Sequence, residues 1–153
     1  MLLQEHWLLP DELGLLNNVH KDFIAWGSSA VNITDDVRHR RPYGGTTILY
    51  KKCIAQNINV ISLQNTRLSA ITLSSDIGKL LIVNVYAPCD YGSVQSMDEY
   101  NDLLGALASV LLTTLFEHCV IAGDFNCDRE SRFYPLLVDF VHSITCMYRT
   151  WSG

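Results

Sequence analysis

Long apolar runs are scarce in this chain. No segment of its 153 residues reaches the roughly 20 consecutive apolar residues that a membrane span needs. The best candidate, Leu103 to Phe116, is interrupted by Gly105, Ser109, Thr113 and Thr114 and reads as a buried helix. Basic charge is also short. Lys and Arg total 11 against 16 Asp and Glu, a formal net charge of −5, which argues against tight nonspecific binding of DNA through a broad basic face. Two local clusters, Arg38-His39-Arg40-Arg41 and Lys51-Lys52, are open to a nucleic-acid contact or to an ordinary solvated loop. Signals for paired or metal-bound cysteine are missing too. Cys53, Cys89, Cys119, Cys127 and Cys146 are odd in number, none forms a CxxC pair, and no His/Cys cluster has zinc-site spacing. They read as reduced thiols without disulfide partners in an intracellular protein, nuclear or cytoplasmic. The opening MLLQEHWLLP has no basic n-region and is broken by Glu5 and His6, so it is no signal peptide.

What is present suits one folded domain. Apolar residues make up 48% and charged residues 18%, a balance that excludes disorder and provides a real core. There is no internal repeat, low-complexity tract or linker. Leu2-Leu3 reads as the tail of a strand. Pro10-Asp11-Glu12 opens a short helix, Glu12 to Val19, because proline and acids suit a first turn. Strands are expected at Asp22–Val31, Thr46–Tyr50, Val60–Leu63, Arg67–Leu73 and Leu80–Tyr86, with a loop at Asn32–Pro42 and a turn at Asp76–Lys79. In Arg67–Leu73 both alternating faces carry apolar groups, so both are expected to be covered. Ser96-Met97-Asp98-Glu99 has the form of a capping box and predicts a helix to about Glu117. A buried strand at Val120–Ala122 follows, then a helix at Tyr134–Val141, then a strand beginning at Tyr148–Trp151. The class is α/β or mixed α+β.

Three strand ends share one pattern. LLQE ends on the Glu5 carboxylate, LIVNVY on the Tyr86 phenol, and VIAGDFN on the Asp124 carboxylate and the Asn126 amide. Ligands in layered α/β proteins gather where strand ends meet loops. Each residue also has a structural reading: Glu5 as an exposed terminal residue, Tyr86 as a core residue with its hydroxyl at the rim, and Asp124 and Asn126 as turn formers. The trio in this order is more specific than any one of them.

QEHWL at Gln4 to Leu8, RPYGGTTIL at Arg41 to Leu49, VNVYAP at Val83 to Pro88 and IAGDFN at Ile121 to Asn126 together resemble the endonuclease/exonuclease/phosphatase (DNase I-like) superfamily. The nearest flavour is the apurinic-like endonuclease domain of non-LTR retrotransposons, and the resemblance spans nearly the whole chain. It implies a four-layer sandwich of two mixed β-sheets flanked by helices. It also implies metal-dependent hydrolysis of phosphodiesters, with DNA as the substrate. In that reading Glu5 is a ligand of Mg²⁺ or Mn²⁺ and Tyr86 lies near the scissile phosphate. Asp124 orients or deprotonates the attacking water, and Asn126 helps hold the phosphate. Residue types agree with the chemistry: a hard cation prefers oxygen donors, and a phenol and an amide donate hydrogen bonds without adding charge beside an anion.

The family's opening Asn-bearing strand and its closing Ser-Asp-His motif have no counterpart in this sequence. His6, His20, His39, His118 and His142 read as surface or structural residues rather than substitutes. The expectation is therefore one partial domain, truncated at both ends, with reduced or no activity alone. Two other readings stay open: a phosphatase or phosphodiesterase of the same fold on a non-DNA substrate, and a non-catalytic remnant. Protein partners and substrate-binding residues are not legible.

Overall fold

The computed structural model describes residues 1–31 and 44–151, with side chains through residue 146. The Arg38–Arg41 cluster, the expected loop Asn32–Pro42 and the first part of RPYGG lie outside the described residues. The chain gathers into two compact units, 1–86 with 114–124, and 87–113 with the residues from 125 onward. Among the described residues no helix is long and apolar enough to cross a membrane.

The first unit holds two sheets. β1 (Leu2–Gln4), β2 (Phe23–Ser28) and β3 (Thr46–Lys51) form an antiparallel sheet in the order β1-β3-β2. β4 (Ile58–Ile61), β5 (Leu68–Ser75), β6 (Gly78–Tyr86) and β7 (His118–Asp124) form a second sheet in that order. Only this second sheet is mixed: β6 and β7 run parallel, and its other pairs are antiparallel. The expected short helix is a 3-10 helix, Pro10–Asn18, with the Glu12 carboxylate accepting the Leu9 amide at 2.9 Å. A second 3-10 helix, Lys52–Asn57, links β3 to β4. The two-residue turn Asp76-Ile77 joins β5 to β6 and sets their register, Ser75 opposite Gly78 through Leu68 opposite Val85.

Register divides these strands into faces. Leu68, Ala70 and Thr72 stand opposite Val85, Val83 and Leu81, and all six are 4% exposed or less. Ser69 and Ile71, on the alternate face, are also buried. Both faces of β5 are thus covered, as its mixed apolar pattern predicts. β7 differs from expectation. Val120 is 47% exposed, because among the described residues β7 pairs only with β6 and is the outermost strand. An apolar run cannot by itself distinguish an inner strand from an outer one.

One polar side chain ties the sheets together. Asn84, in the middle of the apolar strand β6, is fully buried. Its Nδ2 donates to the Leu3 carbonyl at 2.8 Å and to the Thr47 carbonyl at 3.1 Å, and its Oδ1 accepts from Gln4 Nε2. A buried amide is tolerated only when bonded, and this one is bonded to two strands of the opposite sheet.

The second unit holds α1 (Val94–Thr113) and α2 (Tyr134–Trp151). Leu103, Leu104, Leu107, Val110 and Leu111 recur at helical spacing and are buried. The Ser96 capping box does not form. α1 starts two residues earlier, where the Ser93 hydroxyl accepts the Ser96 amide at 3.1 Å, and the Ser96 hydroxyl turns back to the Ser93 carbonyl at 2.9 Å. Ser93 is the first hydroxyl to reach a free amide, so it becomes the cap. The strand expected at Tyr148–Trp151 is instead the continuation of α2. Helical backbone bonds extend unbroken when no Pro or Gly intervenes, and none does after Pro135. Tyr100 and Phe133, both fully buried, stack at 4.0 Å, and burial raises the Tyr100 pKa. Arg132 grips Asp90 with two nitrogens and also reaches the Ser93 carbonyl at 3.1 Å.

Two measurements check these anchors. Asn84→Leu, which strands two carbonyls and an amide, is expected to cost about 3 kcal/mol in urea unfolding; a loss near zero removes the clasp. The hydrogen bond from Arg132 holds the Asp90 carboxyl down to about 2, against an ordinary 3.8. A depressed folded-state pKa gives stability that is full above the ordinary value and lost as pH falls toward the folded one. Thermal melting of wild type and Asp90→Asn should therefore differ at pH 6 and converge between about pH 4 and 2.

Candidate active site

β1, β6 and β7 deliver three of the sequence-expected residues to neighbouring positions in the first unit. β6 and β7 are parallel, so their carboxyl ends coincide, and Tyr86 stands opposite Asp124 in the register. The Tyr86 hydroxyl donates to Glu5 Oε1, one residue past the end of β1. The Tyr86 ring is also flanked by charge: the Arg67 guanidinium carbon lies 5.7 Å from its centroid, and the Arg67 carbonyl accepts the Tyr86 amide at 2.9 Å. Glu5 and Asp124 are exposed, and Tyr86 is half-buried. Asn126, two residues after Asp124, belongs to the second unit. There its side-chain amide donates to the Ala87 carbonyl at 2.7 Å, and its backbone is left-handed with φ 44°.

Local sequence explains this delivery. Gly123 has φ 139° and lies so close to β6 that a Cβ would sit 2.0 Å from the Val85 carbonyl oxygen. Only glycine permits that approach, which brings Asp124 level with Tyr86. At β1, Glu5 and Trp7 both adopt left-handed φ, 54° and 57°. Their amides are secured to the Gly45 carbonyl at 2.9 Å and the Gly44 carbonyl at 3.0 Å. Non-glycine residues rarely take this conformation, and it persists where the surroundings over-determine it.

Two further residues support the set. His6, read from the sequence as a surface or structural residue, is structural: it is a brace within the site. Its Nδ1 accepts the Leu8 amide at 3.1 Å, which leaves the hydrogen on Nε2 to donate to the Ser28 carbonyl at 3.1 Å. Its ring fills the space over Gly45, where a Cβ would come within 2.3 Å of Cε1. Burial lowers the His6 pKa below 6.5, partly offset by the bond to Ser28. Asn84 is the second: it lies two residues before Tyr86, while its partner Gln4 precedes Glu5. A lone Asn inside LLIVNVY was the available signal.

The chemistry of the set is oxygen-based. Glu5 and Asp124 offer carboxylates, Tyr86 a phenol and Arg67 a cation. Among the described residues no group of three or more His, Cys, Asp or Glu side chains gathers as a complete cation cage. The donor set fits an ion such as Mg²⁺, which is commonly held by one or two carboxylates, with water and phosphate oxygens filling its other positions.

No protein-family model matches the chain, and no curated protein sequence matches it. Solved structures do. A humanized D. rerio TDP2 carrying 14 mutations aligns over 88% of this chain and 55% of its own, with 15% identity and a TM-score of 0.52. The human Nocturnin catalytic domain with bound sulfate anion aligns over 88% and 53%, with 14% identity and a TM-score of 0.52. ANGEL2, a 2',3'-cyclic phosphatase, aligns over 89% and 41%, with 15% identity and a TM-score of 0.56. The chain therefore has the α+β, two-sheet fold of these DNase I-like structures and spans about half their length.

Gly123→Ala tests the delivery of Asp124. The added methyl group should cost about 3 kcal/mol in urea unfolding and accelerate hydrogen exchange of the β7 amides. Unchanged exchange in β7 would show that the close approach to Val85 is dispensable.

Proposed function

We propose that the chain is a partial domain of a metal-dependent phosphodiesterase, most specifically a DNA endonuclease of the retrotransposon apurinic-like type. The observation that carries this reading is the hydrogen bond from Tyr86 to Glu5, with Asp124 opposite Tyr86 in the β6–β7 register. Likeness of fold to TDP2 and to ANGEL2, a 2',3'-cyclic phosphatase, supports hydrolysis of phosphoesters. The QEHWL and RPYGG motifs favour DNA over other substrates. A phosphatase or phosphodiesterase of this fold acting on a non-DNA substrate is the second reading, favoured by the 2',3'-cyclic phosphatase activity of ANGEL2.

In this reading Glu5 is the carboxylate that would hold a divalent cation, Mg²⁺ or Mn²⁺, with Asp124 close by as the group that acts on the attacking water. When bound, the cation supplies charge stabilisation at the phosphoryl oxygens. Everything else falls to the chain itself. Tyr86 holds the Glu5 carboxylate in one orientation through its hydroxyl. Arg67 supplies positive charge beside the carboxylates, which offsets their repulsion of an anionic substrate. Asp124 accepts a hydrogen bond from the attacking water and takes its proton as the bond to phosphorus forms and the opposite P–O bond to the leaving alcohol breaks, the released alkoxide taking a proton from solvent. Because the sequence holds no Ser-Asp-His motif, this chain alone is expected to turn over slowly or not at all; catalytic groups act as a unit. A reduced intracellular compartment with access to DNA suits the substrate and the cysteines.

Calorimetric titration with Mn²⁺ tests the metal role without requiring turnover. Glu5→Gln should weaken Mn²⁺ at least tenfold, about 1.4 kcal/mol, while leaving the melting temperature nearly unchanged. Equal affinity in wild type and Glu5→Gln contradicts the metal role. Plasmid nicking that Asp124→Ala abolishes would support the endonuclease; cleavage of small phosphoesters alone would favour the second reading.

A further inference from the structure

Trp7 is the residue that the reading above leaves unused. It is an aromatic side chain 41% exposed, yet its backbone is left-handed at φ 57°. Bulky residues are outliers in that region. An outlier backbone that its surroundings hold in place, carrying an exposed aromatic ring beside candidate catalytic residues, points to function.

The setting of Trp7 is built. Exposure alternates along the segment: Glu5 and Trp7 are exposed, and His6 between them is half-buried. His6 is fastened on both nitrogens, to Ser28 and Leu8. The Glu5 and Trp7 amides are fixed to consecutive carbonyls, those of Gly45 and Gly44. Two residues of chain put their Cα atoms at most about 7 Å apart. Gly44, which anchors Trp7, packs close to the Tyr86 ring: a Cβ there would stand 3.7 Å from Tyr86 Cε1. Trp7 is thus tied to the same few residues that orient Glu5.

We propose that Trp7 is a stacking platform for the nucleobase adjoining the phosphate held at Glu5 and Asp124. The inference rests on the phosphodiesterase reading and adds a base-binding subsite to it. In a nucleotide chain the base is one sugar away from the phosphate, a separation comparable to the two-residue spacing of the Glu5 and Trp7 backbones. Every base has a π-face, so an indole accepts any of them and selects stacked nucleobases over bare phosphate esters. DNA and RNA share this chemistry.

Fluorescence anisotropy of a labelled single-stranded oligodeoxynucleotide and its ribo counterpart tests the proposal on the 153-residue chain. Trp7→Ala should weaken binding about tenfold, and Trp7→Phe, which keeps a ring, by less than about threefold. An abasic strand of equal length should bind wild type and Trp7→Ala alike. Free mononucleotide should quench indole emission in wild type more than in Trp7→Phe, a readout that needs no destabilising variant. A larger loss for one sugar identifies the natural polymer. The proposal is overturned if Trp7→Ala binds as tightly as wild type, if it loses the abasic strand by the same factor, or if quenching is identical in Trp7→Phe. Those results leave the phosphodiesterase reading standing when Glu5→Gln still loses Mn²⁺. Wild type that binds no oligonucleotide and no Mn²⁺ overturns both.

Discussion

The fold of the first unit depends on a buried amide. Apolar contact between two sheets is nearly indifferent to small slides, because burial has no direction. Asn84 removes that freedom by bonding the Leu3 and Thr47 carbonyls and the Gln4 amide at once. It fixes the sheets to one another two residues from Tyr86 and one from Glu5. The Tyr86–Glu5 hydrogen bond then needs only a short side-chain reach. Directional bonds of this kind specify one arrangement among several that would bury similar area.

Around that clasp the chain alternates rigid and strained elements. Val83 and Val85 are fully buried and hold β6 still. At the strand ends, Glu5, Trp7 and Asn126 adopt left-handed backbone without being glycine. These three are the non-glycine residues with positive φ among the described residues, and all lie within or beside the motifs that carry chemistry. The apolar strands supply the stiffness that keeps such conformations populated. In the run Val120 to Asn126 the strand is the mount, the glycine permits the close approach, and the aspartate is presented at the rim.

Much of this was legible from residues alone. The strands β3, β5 and β6 are dense in β-branched and aliphatic residues, and their existence follows from pattern. Glu5, Tyr86 and Asp124 were named from strand-end grammar and family resemblance. Their proximity was not legible, because it arises from the parallel β6–β7 register and from bonds spanning 81 positions. Nor was the role of Asn84, which exists only through partners distant in sequence. The Ser96 box failed because Ser93 offered an earlier hydroxyl, and Tyr148–Trp151 was misjudged because aromatic residues favour strands until an established helix overrides them. The exposure of Val120 depends on how many neighbours β7 has, which its own residues do not encode.

The central claim is that Glu5, Tyr86 and Asp124 face one cation-binding place. Paramagnetic broadening by Mn²⁺ in the amide NMR spectrum addresses it most directly. The account predicts that signals of Glu5, Tyr86 and Asp124 broaden first and together. Those of the Asp76-Ile77 turn, at the far end of β6 and about 30 Å away, should stay sharp. Broadening centred elsewhere, or reaching only one of the three, would contradict it.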